Sequence, residues 1–230
     1  MSAPLYQLKH IHQAYGGRRV LDVDYLEIEA RTITGIIGPN GSGKSTLMRI
    51  LAFVETPAGG HITFHGLPVG RVGLDARREV TLLSQEPYLL KRSVQANVSY
   101  GLRIRGVSHT GASVHQAMEQ VGLDPSQFAH RSWRELSSGE AQRVALAARL
   151  VLQPKVLLLD EPTASVDRES SQLIQRAALN ARNRWGTTLI VISHQLDWLR
   201  RVSDRILTMD YGRLVDEVAA SSRLSDKPPS

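Results

Sequence analysis

The chain has 230 residues, of which 42% are hydrophobic, and a formal net charge of +6. This length and hydrophobic content suffice for one large folded domain and argue against intrinsic disorder. The chain contains no cysteine, which excludes disulfides, iron–sulfur clusters and cysteine-ligated zinc. Its basic residues are scattered, so the positive charge favours a solvated surface over a nucleic-acid or lipid-headgroup partner.

The sequence predicts neither a membrane span nor a secretory leader. Its most apolar stretch, residues 144–159, is interrupted by Arg149 and Lys155, whereas a membrane-spanning helix needs roughly 18 or more predominantly apolar residues. Residues 1–10 lack the basic start and apolar core of a secretory signal. We therefore expect a cytoplasmic protein.

The predicted elements begin with an antiparallel β structure, because hydrophobic and charged residues alternate over residues 26–31. A buried strand over residues 32–37, a glycine-rich loop and a helix over residues 45–52 follow. Further buried strands are predicted over residues 80–83, 156–159, 188–192 and 206–209, with helices over residues 139–152 and 168–184. This alternation predicts a mostly parallel α/β core.

Strand signals disappear between Glu86 and Gln153. Helical patterns occur instead over residues 94–105 and 113–121. We therefore predict a helical lobe, at about residues 86–153, inserted in one domain of residues 1–230. Residues 219–230 are rich in serine, proline and charge, which predicts a disordered tail.

A phosphate-binding motif opens the first predicted helix. Residues 38–45 match the pattern G-x-x-x-x-G-K-[ST] in full, in the strand-to-helix context that the motif requires. Glycines allow backbone N–H groups to curl around phosphate oxygens, and the helix points its positive end at the same anion. Lys44 is predicted to reach the β- and γ-phosphates of a nucleotide, and Ser45 to bind Mg²⁺. The predicted nucleotide contacts here are Gly38, Pro39, Asn40, Gly41, Ser42, Gly43, Lys44, Ser45 and Thr46.

Two carboxylates, Asp160 and Glu161, follow the apolar run at residues 156–159. Open α/β sheets bind their ligands at the carboxyl ends of such strands. Consecutive strand residues point in opposite directions, so the two side chains can take different roles. Asp160 is predicted to hold Mg²⁺, and Glu161 to orient and polarise the attacking water. Alone, the pair could equally be a strand meeting solvent, but the phosphate loop favours the functional interpretation.

These motifs, together with others in a fixed order, resemble the ATP-binding cassette family. Residues 136–140, Leu-Ser-Ser-Gly-Glu, are similar to the family's signature loop, usually Leu-Ser-Gly-Gly-Gln. Gln85 resembles the Q-loop glutamine, residues 164–167 the D-loop, His194 the switch histidine, and Tyr15 the aromatic residue that stacks on adenine. Each residue alone has an ordinary structural explanation, so their order carries the resemblance. The implied fold is a P-loop ATPase core with a mostly parallel sheet, an N-terminal antiparallel β element and an inserted helical lobe.

The resemblance implies ATP sites shared by two subunits packed head to tail. The signature loop of one subunit covers ATP on the other, with a hydroxyl from Ser137 and backbone N–H groups at Gly139. Asp167 is implied to couple the two sites across the interface. The implied catalytic residues are Glu161, His194 and Lys44, and the implied metal ligands are Ser45, Gln85 and Asp160.

The signature loop departs from the family pattern beside the nucleotide. Ser138 replaces a glycine and Glu140 replaces a glutamine. If position 138 requires a positive φ, serine is strained there. The carboxylate of Glu140 is expected to weaken nucleotide binding unless another group neutralises it.

Within the family, the chain is most similar to transporter subunits. The short spacing from Gln85 to Leu136 leaves no room for the coiled coil of chromosome-maintenance ATPases. One cassette and no cysteine also differ from translation and ribosome-recycling relatives. Residues 51–55 and Glu140 resemble the ATPase subunits of tungstate-type oxyanion importers, although other subunits select the solute.

The resemblance also implies a set of partners. We expect a membrane-spanning permease, a second copy of the chain in a homodimer, and an external solute-binding protein, with the chain peripheral on the inner face of the cell membrane. The alternative is a soluble regulatory or nucleic-acid-linked ATPase, which only the basic charge favours. We expect no nucleic-acid partner.

Overall fold

The structure is a computed structural model that describes residues 3–71, 73–108 and 110–219. Its strands are β1 Tyr6–Tyr15, β2 Arg18–Ile28, β3 Ile33–Ile37, β4 Gly59–Phe64, β5 Leu67–Pro68, β6 Val80–Leu83, β7 Val156–Asp160, β8 Thr188–Ile192, β9 Arg205–Asp210 and β10 Arg213–Ala219. Its α-helices are α1 Lys44–Leu51, α2 Gly73–Glu79, α3 Val94–Ile104, α4 Gly111–Gln120, α5 Pro125–Phe128, α6 Ser138–Leu150, α7 Arg168–Trp185 and α8 Leu196–Val202.

The strands form two sheets. The first is antiparallel, in the order β2-β1-β4-β5. The second has the order β10-β9-β3-β8-β7-β6, and its strands are parallel except for β10, which pairs antiparallel with β9 at one edge. Strands β3, β7 and β8 are buried along almost their whole length, as expected for parallel strands covered on both faces. The predicted fold class is confirmed.

Helices α3 to α6 lie between β6 and β7 and form the inserted lobe. Helix α6 packs against α3, α4 and α7 through apolar residues at helical spacing, including Val144, Ala147 and Leu150. One hydrophobic cluster joins lobe residues such as Val98 to sheet residues such as Leu159. The lobe is therefore anchored to the sheet that carries the predicted catalytic carboxylates.

The predicted boundaries hold best for the buried strands. Strands β6 and β8 span the predicted residues 80–83 and 188–192. The strand predicted over residues 26–31 is wrong at its end, because β2 stops at Ile28 and Arg31 adopts a φ of 63°. The Thr32 hydroxyl donates to the Glu29 carbonyl at 2.8 Å and closes this turn.

Other elements were not predicted. Strand β4 and helices α2 and α5 are short or glycine-containing, so their hydrophobic periodicity is weak. Residue 219, the first of the predicted tail, ends β10, and residues 220–230 lie outside the described part of the chain. None of the described helices is long and apolar enough to cross a membrane.

Candidate active site

The phosphate loop runs from the end of β3 to the start of α1, and its shape requires glycine. Gly38 and Gly43 have φ of 146° and 96°, which favour glycine strongly. A Cβ at Gly38 would lie 2.0 Å from the Met209 carbonyl oxygen, and one at Gly43 would lie 2.7 Å from the Val20 carbonyl oxygen. The loop is therefore closely packed between β2 and the end of β9.

Lys44 lies across this loop and is only 6% exposed. Its ammonium group donates to the carbonyl oxygens of Gly38, at 2.9 Å, and Pro39, at 2.8 Å. The buried hydroxyl of Ser42 has no hydrogen-bond partner among the described residues. A cavity of about 200 Å³ adjoins Lys44, and Gly38 and His194 also line it. The Lys44 cation, at the N-terminus of α1, thus lines this cavity, and both features fit a phosphate chain.

Ser45 and Asp160 approach each other beside this loop. Burial raises the pKa of the Asp160 carboxyl, the hydrogen bond with Ser45 opposes that effect, and the charge of Glu161 adds to it. Because Mg²⁺ prefers oxygen ligands and pairs with one or two carboxylates plus phosphates, this hydroxyl and this carboxylate fit the metal. No hydrogen bond joins Gln85 to either residue in the described part of the chain, although all three were predicted ligands.

Glu161 and His194 are brought together by the neighbouring strands β7 and β8. The His194 Nε2 atom lies 2.9 Å from Glu161 Oε1. Glu161 has a φ of 48°, which is uncommon for a residue with a side chain, and its N–H donates to the Ile192 carbonyl at 3.0 Å. The backbone therefore fixes Glu161 in a conformation that directs its carboxylate toward the histidine.

Gln85 is exposed and follows β6, at the start of the segment that leads into the helical lobe. Residues 87–91 of that segment line a cleft of about 590 Å³. Trp133, Leu136, Ser137, Ser138 and Ala141 form the rest of the lining. The segment after Gln85 and the signature loop thus share one cleft.

The signature loop has ordinary helix-capping geometry. Ser137 is the N-cap of α6 and accepts the Glu140 N–H at 3.2 Å, while Glu140 Oε2 accepts the Ser137 N–H at 2.8 Å. The condition for strain at Ser138 is not met, because Ser138 is the first residue of α6 and its φ is not positive. Arg131 Nη1 lies 3.7 Å from Glu140 Oε1 and offsets part of the extra negative charge.

Asp167 and Gly139 lie close together within the chain. Asp167 caps α7 by accepting the Ser170 N–H at 2.8 Å, and this bond lowers the pKa of the Asp167 carboxyl. A Cβ at Gly139 would lie 2.4 Å from Ser170 Oγ and 2.7 Å from Asp167 Oδ2. The sequence singled out Asp167 and Gly139 but missed Ser170. No local sequence pattern indicates that Ser170, in α7, lies against the signature loop.

Tyr15 ends β1, and 45% of its surface is exposed. Its hydroxyl is hydrogen-bonded to Arg49 and to Glu55. Sequence reasoning placed Tyr15 in the site but missed both of these partners.

Comparison with known proteins now identifies the family. The sequence profile of the ABC transporter family matches residues 21–164. The chain belongs to this family and is an ATP-binding cassette ATPase.

Three known proteins illustrate the similarity. The tungstate uptake system ATP-binding protein of Peptoclostridium acidaminophilum is 37% identical over 209 residues, covering 90% of this chain and 95% of that protein. The methionine import ATP-binding protein of Caulobacter vibrioides is 36% identical over 213 residues, covering 90% of this chain and 64% of that protein. The structure of a Clostridium perfringens protein described as part of an ABC transporter complex superposes with a TM-score of 0.82 at 27% identity, covering 94% of this chain and 89% of that one.

Proposed function

We propose that this chain is the ATP-hydrolysing subunit of an importer for a small oxyanion such as tungstate. The similarity to the tungstate uptake protein extends over nearly the full length of both chains, whereas the methionine import protein is considerably longer. We place the chain in the cytoplasm, on the inner face of the membrane, with a permease and an external solute-binding protein as partners.

In this proposal the phosphate loop binds the triphosphate of ATP. Residues 38–46 surround the phosphates, and Lys44 leaves the carbonyl oxygens that it now contacts to bind the β- and γ-phosphates. Ser45, Asp160 and Gln85 would hold Mg²⁺, which would neutralise charge that develops on the phosphates.

The observation that carries the hydrolytic role is the 2.9 Å approach of His194 to Glu161, beside the cavity at Lys44. In the proposed mechanism Glu161 accepts a hydrogen bond from the attacking water and orients it. His194 holds the Glu161 carboxylate and contacts the γ-phosphate. Asp160 binds the metal while Glu161 remains available to the water.

Two copies of the chain complete each ATP site in this proposal. Ser137 and Ser138 are exposed, and the signature loop does not line the cavity at Lys44 in its own chain. The loop of a second copy supplies Ser137 and the N-terminus of α6 to the γ-phosphate. Asp167 lies at the same surface, and Gln85 leads to the cleft that receives a cytoplasmic segment of the permease.

The test of the hydrolytic role is Glu161→Gln. The substitution keeps the size of the side chain and removes its basicity, so ATP affinity should persist while turnover falls by roughly 10²- to 10⁴-fold. Phosphate release and ATP binding by the purified variant measure both quantities. Glu169→Gln, an exposed glutamate of α7, is the matched control and should retain full activity. Normal turnover in Glu161→Gln would refute the assignment.

The substrate is tested in vesicles that contain the chain with its permease and solute-binding protein. Tungstate should stimulate ATP hydrolysis, and equal concentrations of methionine should not. Stimulation by methionine alone would overturn the oxyanion proposal while leaving the ATPase assignment intact.

A further inference from the structure

A polar network lies behind the exposed ring of Tyr15. We call it the Glu55 network, and its members are Gln13, Tyr15, Thr46, Arg49 and Glu55. They come from β1, from α1 and from the turn after α1. Neither the phosphate loop nor the hydrolytic residues described above include Arg49, Glu55 or Gln13.

Glu55 is the centre of this network. Its Oε1 atom accepts hydrogen bonds from the Tyr15 hydroxyl and from Gln13 Nε2, the latter at 2.5 Å, and its Oε2 atom accepts from Arg49 Nε at 2.8 Å. Burial raises the pKa of the Glu55 carboxyl, but the bonds from Arg49, Tyr15 and Gln13 together lower it below its ordinary value. Glu55 is therefore a charged acceptor for three donors at neutral pH.

The network fixes the Tyr15 hydroxyl on two sides. The hydroxyl donates to Glu55 and accepts from Arg49 Nη2 at 3.0 Å. Tyr15 is the last residue of β1 and precedes the Gly16–Gly17 turn, where the backbone imposes little restraint on a half-exposed ring. With its outer atom anchored, the ring loses rotational freedom before any ligand arrives.

The same network reaches the phosphate-binding end of the site. Arg49 Nη2 also donates to the Thr46 hydroxyl at 3.2 Å, and Thr46 follows the predicted metal ligand Ser45. Arg49 thus connects the ring of Tyr15 with the first turn of α1. The distance between the aromatic surface and the phosphate loop is held by side-chain hydrogen bonds.

We propose that Glu55 is a positioning residue for the nucleotide base: it holds Tyr15 so that the ring meets adenine while the triphosphate occupies the phosphate loop. The proposal rests on the assignment of Tyr15 as the base contact. Because an anchored ring pays less conformational entropy on binding, Glu55 increases affinity for ATP and leaves affinity for base-free polyphosphate unchanged.

The experiment compares Mg²⁺–ATP with Mg²⁺–inorganic triphosphate by calorimetry on the full chain. Tyr15→Ala removes the ring and should weaken ATP binding by about 5- to 150-fold, the range for one base–aromatic stack. Glu55→Ala and Tyr15→Phe each release the ring without removing it, and each should weaken ATP binding by about 3- to 10-fold. Triphosphate binding should be unchanged in all three variants.

Three further variants separate positioning from a general structural effect. Glu55→Gln retains an acceptor oxygen and should recover part of the lost ATP affinity. Glu79→Ala is the matched control, because Glu79 is another partly buried glutamate with two cationic or imidazole partners and no hydrogen bond to the network. Glu79→Ala should change neither affinity. The double variant of Tyr15→Phe with Glu55→Ala should lose no more than either single variant.

These measurements distinguish the positioning role of Glu55 from the assignment of Tyr15 as the base contact. If Tyr15→Ala leaves the ratio of the two affinities unchanged, Tyr15 does not contact the base and both ideas fail. If Tyr15→Ala lowers ATP affinity selectively while Glu55→Ala and Tyr15→Phe do not, only the positioning role is overturned. Equal losses for ATP and triphosphate in Glu55→Ala would show a structural defect and would also overturn it.

Discussion

At the scale of single residues, Gly139 shows how an absent side chain allows two loops to meet. It is buried, and its φ is not positive, so a left-handed backbone does not explain the glycine. Close packing does, because a Cβ would lie 2.4 Å from Ser170 Oγ and 2.7 Å from Asp167 Oδ2. The signature loop and the N-terminus of α7 can approach this closely only with glycine at position 139.

We predict that Gly139→Ala destabilises the protein by about 1–3 kcal/mol through overpacking. Urea unfolding measures the change. Gly111→Ala is the control, since a Cβ there meets open space at the start of α4 and should be neutral or slightly stabilising. Adding Ser170→Gly to Gly139→Ala should restore part of the loss. A neutral Gly139→Ala would mean that the two loops can separate at little cost.

Sequence alone selected as candidates the residues whose chemistry follows from a local pattern. The phosphate loop is a continuous motif, and Asp160 and Glu161 follow an apolar strand, so both could be proposed without a structure. Glu55 could not be found in this way, because its partner Tyr15 lies 40 positions earlier and neither residue is unusual by itself. Contacts of this kind depend on how β1 and α1 pack against each other, and this packing cannot be predicted from local patterns in a single sequence.

At the scale of elements, Glu79 links three segments whose contact the sequence did not predict. It ends α2, and its carboxylate lies 2.9 Å from His65 Nε2 after β4 and accepts from Lys155 Nζ at 2.8 Å before β7. Burial raises the pKa of the Glu79 carboxyl, but the bonds from Lys155 and His65 lower it below the ordinary value of 4.5. The charged form of Glu79 therefore favours the folded state.

We predict that acid removes this contribution. Because the folded-state pKa is lower than the unfolded one, the stabilisation is fully present above pH 4.5 and disappears as the pH falls through the lowered value. Glu79→Gln should thus destabilise the protein at pH 7, and the difference from wild type should shrink as the pH falls below 4.5, as thermal unfolding at each pH will measure. Glu119→Gln, at an exposed position of α4, is the control. A difference independent of pH would contradict the pKa direction.

Helix α6 shows what prediction from sequence captures in an element and what it leaves open. Its apolar periodicity located it within two residues at each end. The sequence left open whether Ser138 needs a positive φ, and the structure answers this, because Ser137 and Glu140 form a reciprocal cap that places Ser138 inside the helix. Capping depends on side-chain hydrogen bonds over three residues, which a comparison of residue types alone does not reveal.

At the scale of the whole molecule, the fold separates two groups that the proposed mechanism brings together. The phosphate loop lies between β3 and α1, and the signature loop begins α6 in the helical lobe. The cavity beside Lys44 is lined by residues 37, 38, 44, 193, 194 and 196, and by no residue of the signature loop. In the proposed mechanism, the exposed Ser137 would therefore meet the phosphates bound by a second copy of the chain.

The final prediction concerns this second copy. If ATP is buried between two subunits, Glu161→Gln should accumulate a dimer that forms only with ATP, because ligand bound at the interface stabilises it and is no longer hydrolysed. Adding Ser137→Arg should abolish this dimer, since the larger side chain occupies the place of the partner's γ-phosphate and leaves the phosphate loop of its own chain intact.

Sedimentation with and without ATP measures the dimer, and calorimetry checks that the double variant still binds ATP. Ser113→Arg in the Glu161→Gln background is the matched control, because Ser113 is exposed near the N-terminus of α4 and lines neither the cavity at Lys44 nor the cleft at the signature loop. It adds the same charge and volume, so it should leave the dimer unchanged. An ATP-dependent dimer of equal strength with Ser137→Arg would place the signature loop outside the interface, and loss of the dimer in both arginine variants would point to net charge instead.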